Sequence, residues 1–233
     1  MPLCIWPKRL SDNKVIDIPA EFILNDKHSP FPNVELALKE PNGLIAIGGE
    51  LSTERLLLAY QSGIFPWYSQ GEPVIWYSPD PRLVMTQDRL HISKSLSKTL
   101  KSAGFEVRVD EDFSAVIYQC QNIRRKDQDG TWIDNDMLSA YTQLHQQGYA
   151  RSVEVYQDQQ LVGGLYGVSL GKVFFGESMF ARARDASKVA LVHLVQNMGY
   201  QLIDCQVESP HLKSLGAYNI RRSAFIKTLE ELL

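Results

Sequence analysis

The stretch that most constrains the fold is residues 161–207, LVGGLYGVSLGKVFFGESMFARARDASKVALVHLVQNMGYQLIDCQV. Two apolar runs, 161–169 and 173–178, flank Leu170-Gly171-Lys172, a gap of hairpin size with a turn-forming glycine. An amphipathic segment follows, predicted helical over 186–198, with Leu191, Leu194, Val195 and Met198 on one stripe and Gly199 as its stop. A further strand-like run covers 202–207. Three polar residues interrupt this apolar unit: Glu177, Asp204 and Gln206. Burying such groups costs free energy unless they are paired, so they mark a reaction site between two strands. Asp204 and Gln206, two residues apart, share one strand face.

The rest of the chain extends this unit. Asn33 is a cap for a short helix over 34–39, and Ser52 caps a clearer one that Gly63 ends. Residues 64–82, IFPWYSQGEPVIWYSPDPR, crowd five aromatic side chains among four prolines. Their residue types favour a packed connection between domains over a wall of stacking surfaces. Residues 93–102 read as a helix whose Lys94, Lys98 and Lys101 recur on one face, opposite Leu96 and Leu100. Helices are also expected over 113–121 and 135–147, alternating strands at 105–109 and 151–156, and a terminal helix from about residue 223. Gly163-Gly164 inside a strand marks a bulge or a close backbone approach, and Asp185 is a cap for the helix after it. Helices, then antiparallel strands, then strand–helix–strand make an α+β layer architecture.

Composition narrows the function. At 233 residues with 44% hydrophobic and 22% charged side chains, the chain has the balance of a soluble globular protein. A net charge of −3 excludes a wholesale electrostatic nucleic-acid binder, so contact with phosphates falls to a local patch, of which the lysine stripe is the best. The three cysteines are dispersed and form no CxxC pair, the five histidines lack ligand spacing, and no run reaches membrane-spanning length. The cytoplasm is the default compartment. GVSLGKV at 167–173 falls short of a phosphate loop, with one residue too few between the glycines and valine in place of serine or threonine.

FFGESMFARARDASKVAL and LIDCQV, with the earlier EPNGLIAIGGELS, GIFPW, WYSPDPR and GTWI, closely resemble the bacterial leucyl/phenylalanyl-tRNA–protein transferases, in that family's order from about residue 31 to 222. The resemblance implies a small N-terminal α/β domain (1–80) followed by a GNAT-like acyltransferase domain with a mostly antiparallel sheet (81–233). It implies a cytoplasmic monomer without metal or cofactor. Its partners are aminoacyl-tRNA charged with Leu, Phe or, less well, Met, and proteins whose N-terminal residue is Arg or Lys. Transfer of the aminoacyl group to that α-amine marks such proteins for degradation by the N-end rule. By resemblance, Asp204 and Gln206 form a relay that helps deprotonate the incoming amine, Gln206 orienting it while Asp204 supplies charge. Glu177 receives the α-ammonium of the transferred residue. Leu165, Phe174, Ser178, Met179, Leu191, Leu194 and Ile203 line its side-chain pocket. Trp67 and Trp132 match the tryptophans beside the tRNA 3′-adenosine, and Lys94, Lys98 and Lys101 hold phosphates of the acceptor stem.

Two other readings make different demands. An acyl-CoA transferase needs a glycine-rich pyrophosphate loop ahead of the helix, where this chain has Arg182-Ala183-Arg184-Asp185-Ala186-Ser187. A non-catalytic tRNA-binding module would leave Asp204 and Glu177 without consequence for transfer.

Overall fold

The computed structural model describes residues 17–26, 28–122 and 133–233. Trp132 and the basic residues Arg124, Arg125 and Lys126 lie outside these. Two sheets divide the described chain. The smaller is built from β1 (Ile23–Leu24), β2 (Leu44–Gly48), β3 (Phe65–Pro66) and β4 (Ile75–Tyr77), in the order β1-β2-β4-β3. Helix α1 (Thr53–Gln61) links β2 to β3 and starts as expected, the Ser52 side chain accepting the Arg55 N–H. Asn33 accepts the Glu35 N–H, but only a single 3₁₀ turn, Val34–Leu36, follows in place of the longer helix.

The aromatic run 64–82 corrects the sequence reading. It is not a connection: β3 and β4 pair antiparallel within it, Phe65 opposite Tyr77 and Pro66 opposite Trp76. Two- and three-residue strands are too short to show an alternating pattern, which is why the run resembled a packed loop.

The larger sheet comprises β5 (Arg82–Met85), β6 (Glu106–Val109), β7 (Ala150–Gln157), β8 (Gln160–Leu170), β9 (Val173–Ala181), β10 (Leu202–Gln206) and β11 (Tyr218–Ile220). Its order is β11-β5-β10-β9-β8-β7-β6, and every pairing is antiparallel except β9 with β10. That parallel pair requires a crossover, which helix α5 (Ala186–Asn197) supplies. The α+β class with a mostly antiparallel sheet is therefore the one found.

Each face of this sheet has its own core. On one face α5 packs Leu191, Leu194 and Val195 against Leu165, Phe174, Met179 and Ile203, joined by Leu96 of α2 (Lys94–Ser102). On the other, α3 (Phe113–Asn122) and α4 (Asn135–Gln146) cover Tyr166, Phe175 and Phe180, and the cluster continues into the small sheet. The terminal helix α7 (Arg222–Leu232) adds Phe225 and Leu229 to that second core, and α6 (Pro210–Lys213) sends Leu212 into the first.

Two local expectations are refined. Gly163 marks a close approach: a Cβ there would lie 2.5 Å from that of Ala186 on α5. Asp185 does precede α5 but does not cap it through its side chain, since its backbone is left-handed (φ 64°) and its carboxylate binds Lys188 Nζ at 2.8 Å.

Candidate active site

The site forms where β9 and β10 part. Their pairing covers only Leu202–Asp204 against Val173–Phe175. Immediately beyond, each strand carries an irregularity. In β9, Ser178 faces Tyr166 and Gly176 faces Gly167, so Glu177 is an extra residue with no opposite number on β8. In β10, Asp204 faces Val84 and Gln206 faces Leu83, which leaves Cys205 over, and Gln206 has a left-handed backbone (φ 63°). A bulge re-aims the side chains around it. Phe174 and Met179, an odd five residues apart, would alternate to opposite faces of a regular strand, yet both lie in the α5-side core because the bulge absorbs one residue.

Glu177 is 2% exposed and surrounded by donors. The Tyr60 hydroxyl on α1 donates to Oε1 at 2.7 Å, and Tyr141 on α4 donates to Oε2 at 3.0 Å. The Gln206 amide Nε2 donates to Oε1 at 3.0 Å. The two tyrosine oxygens themselves lie 2.5 Å apart. Three oxygen–oxygen contacts thus close a ring, but two phenols supply only two protons. With the carboxylate ionised both phenols donate to it and the Tyr60–Tyr141 contact lacks a proton. A third proton, on the carboxyl group, satisfies all three contacts when one phenol turns to donate to the other and accepts from the carboxyl. The electrostatics agree: burial, with a smaller contribution from the Asp204 charge, pushes the Glu177 carboxyl up to about 7, against hydrogen bonds from Tyr60, Tyr141 and Gln206 that pull it down. Burial likewise drives both phenols well above their ordinary value, so they remain donors.

Asp204 has a different environment. It is fully buried and forms a two-pronged ion pair with the equally buried Arg82, whose Nε donates to Oδ1 at 2.8 Å and Nη2 to Oδ2 at 2.6 Å. Oδ1 also accepts the backbone N–H of Gln206 at 2.9 Å. The sequence reading makes Asp204 and Gln206 a relay for the incoming amine, Asp204 supplying charge. In the structure that charge is matched by Arg82, and Asp204 reaches Gln206 through the backbone.

The remaining candidates divide by face. Leu165, Phe174, Met179, Leu191, Leu194 and Ile203 are brought together in the α5-side core, and Ser178 is buried beside Glu177 on β9. The polar groups point to the other face, so the two sets meet only at the parting strands. Trp67 is 8% exposed, its ring 6.4 Å from Phe65 and 5.7 Å from Tyr77. Lys94, Lys98 and Lys101 are exposed along α2, which is anchored by Leu96, whereas Leu100 is itself 38% exposed. A shallow concavity lined by Thr86, Gln87, Asp88, Gly199, Tyr200 and Gln201 lies past the far ends of β5 and β10 and includes none of these groups. Among the described residues no group of three or more His, Cys, Asp or Glu side chains is placed to hold a metal ion, and no helix is long and apolar enough to cross a membrane.

Three site residues escaped the sequence reading of chemistry: Arg82, Tyr60 and Tyr141. Only Arg82 left a signal, as an arginine heading the apolar run Leu83-Val84-Met85. The tyrosines read as ordinary helix-face residues, because nothing local announces which group a buried hydroxyl meets.

The chain is similar to known proteins along most of its length. A family model for leucyl/phenylalanyl-tRNA protein transferase matches residues 84–230, and one for the N-terminal domain of the same proteins matches residues 49–80. A leucyl/phenylalanyl-tRNA–protein transferase of Hydrogenovibrio crunogenus is 53% identical over 213 residues, 90% of this chain and 83% of that one. Its counterpart in Nitrosomonas europaea is 55% identical over 207 residues, 88% of this chain and 87% of that one. Among solved structures, a GCN5-related N-acetyltransferase from Kribbella flavida aligns over 70% of this chain and 58% of its own, with 12% identity and a TM-score of 0.37.

Proposed function

This chain belongs to the leucyl/phenylalanyl-tRNA–protein transferase family, and from that premise we propose how its buried polar centre carries the reaction. The enzyme is an aminoacyl-tRNA-dependent aminoacyltransferase that moves Leu or Phe to the α-amine of proteins with N-terminal Arg or Lys, the mark read by the N-end rule. The amine nitrogen attacks the ester carbonyl, a tetrahedral oxyanion forms, and its collapse makes the amide and releases the ribose oxygen of the tRNA. Solvent or the departing ribose oxygen takes the proton that the amine loses. The ester already carries the required free energy, so the protein's task is alignment, proton handling and desolvation.

Glu177, in its ionised form, receives the α-ammonium of the transferred residue. Gln206 orients the acceptor amine through its side-chain amide, an essentially non-basic group that serves as a hydrogen-bonding partner and not as the proton's destination. Asp204 holds the backbone of Gln206 and is a positioning residue, since it is fully buried. Leu165, Phe174, Ser178, Met179, Leu191, Leu194 and Ile203 form the side-chain pocket, an apolar enclosure suited to Leu, Phe and Met. Trp67 and Trp132 stack on the terminal adenosine, a contact worth about 1–3 kcal/mol per base. Lys94, Lys98 and Lys101 meet phosphates of the acceptor stem. The enzyme works as a cytoplasmic monomer.

The observation that carries this reading is the convergence of Tyr60, Tyr141 and Gln206 on one buried carboxylate where two strands part. The test mixes the protein with labelled Leu-tRNA and peptides beginning with Arg, Lys or Ala. Label should appear in the Arg and Lys peptides without added ATP or metal. No transfer to any peptide would refute the reading.

A further inference from the structure

The three donors around Glu177 come from separate parts of the chain, and something must hold them in register. Tyr60 sits on α1 and Gln206 on the kinked end of β10, yet both donate to the same oxygen, Oε1. One side chain bonds to the immediate neighbourhood of each. Arg82 Nη1 donates to the carbonyl of Gly63, three residues after Tyr60, at 3.1 Å. Its Nε and Nη2 grip Asp204, whose Oδ1 fixes the backbone N–H of Gln206. The guanidinium plane is held in turn between two rings, Phe65 of β3 at 4.7 Å and Phe225 of α7 at 4.6 Å.

We propose that Arg82 is a positioning residue of the transfer reaction, tying α1 to β10 so that Tyr60 and Gln206 reach one oxygen of Glu177 together. A buried ion pair is a poor means of gaining stability, because removing two charges from water offsets most of their attraction. What it supplies is geometry: a planar fork fixes distance and angle at three acceptors, which a lysine or an apolar side chain cannot do. Arg82 lies behind Asp204, out of contact with the carboxylate it serves, so its action runs through Gly63 and Asp204.

This inference rests on the role given to Glu177 above, and the experiment separates the two. The groups facing Glu177 are Tyr60 from α1, Tyr141 from α4, Gln206 and Asp204 from β10, with Arg82 of β5 behind Asp204 and Tyr166 of β8 against the Tyr141 ring. Donors lower the proton affinity of Glu177 and the Asp204 charge raises it. In Arg82→Lys the positive charge stays but the fork is lost, so Tyr60 and Gln206 slacken. The Glu177 titration midpoint, read by carboxyl infrared bands in protein carrying ¹³C-labelled glutamate, should rise by about one unit. At pH 7 kcat should fall about fivefold, with KM for aminoacyl-tRNA within about twofold. Asp204→Asn removes the nearby negative charge and leaves Arg82 unmatched, so the midpoint should move down. Opposite signs distinguish positioning from general loosening, which would move both variants the same way. Phe225→Leu, which weakens the packing that holds the guanidinium plane and removes no charge or hydrogen bond, should raise the midpoint in the same direction by a smaller amount. A folded Arg82→Lys protein with an unmoved midpoint overturns the proposal, and if that variant does not fold, an unmoved midpoint in Phe225→Leu does so. A midpoint that shifts as expected while the rate does not follow it would leave Arg82 as the organiser of Glu177 and remove Glu177 from the reaction.

Discussion

At the scale of single residues, Glu177 is the most informative group. Its ordinary value is 4.5 and burial raises it to about 7, so the folded protein binds a proton that the unfolded chain releases between those values. Stability attributable to this group is therefore full below about pH 4.5 and declines as pH rises through about 7. Glu177→Gln, which cannot ionise, should gain stability relative to the parent at about pH 8 and not at about pH 5, as chemical denaturation at both values would register. The proposed reaction asks the opposite of the group, because in it only the ionised carboxylate holds the ammonium. Single-turnover transfer should rise through about pH 7, and Tyr141→Phe, which removes a donor from Oε2, should move that rise to higher pH. An unshifted profile in Tyr141→Phe would detach the tyrosine from the carboxylate's function.

Among secondary-structure elements, the paired irregularities of β9 and β10 matter more than either strand's regular part. Bulge and kink turn Glu177 and Gln206 toward each other and end the pairing that would otherwise close the gap. Gly167 is fitted to this geometry, since a Cβ there would stand 2.1 Å from the Phe175 carbonyl oxygen. Gly167→Ala should cost about 1–3 kcal/mol of stability and depress transfer further, because the backbone that must shift adjoins the bulge. Helix α2 lies outside this unit and carries a different expectation. Lys98→Ala with Lys101→Ala should weaken tRNA binding and reduce the slope of log affinity against log salt by about 1–2, leaving turnover of bound substrate intact. An unchanged slope would move the tRNA contact to another surface.

For the whole molecule, the two sheets are not independent. One apolar cluster runs from β2 and α1 through Phe65 and Trp76 to Phe175 and Phe225. The terminal helix clamps the junction, with Arg222 Nη1 donating to the Ser78 carbonyl at 2.7 Å. Breaking the Arg82–Asp204 pair on one side only, as in Arg82→Ala, should cost about 3–5 kcal/mol in thermal or chemical unfolding, because the remaining buried carboxylate is left unmatched. A loss below about 1 kcal/mol would mean that water reaches Asp204 readily.

Much of this was legible in the chain itself, through local chemistry. The hairpin followed from two apolar runs around a glycine turn, α5 from its leucine stripe, and the start of α1 from Ser52, because periodicity and capping act within a few residues. Glu177, Asp204 and Gln206 stood out as polar interruptions that burial would penalise, and the ordered motifs gave the family. Other features depended on residues far apart in sequence. Arg82 meets Asp204 122 positions away and Tyr60 meets Glu177 117 positions away, encounters that no local pattern encodes. The aromatic run became two strands only because a small sheet offered partners. The sequence by itself determined which polar groups needed a reason to be buried. Tertiary structure alone decided their partners, and with them which carboxylate is matched by an arginine and which is left to tyrosines and an amide, free to gain or lose a proton near neutrality.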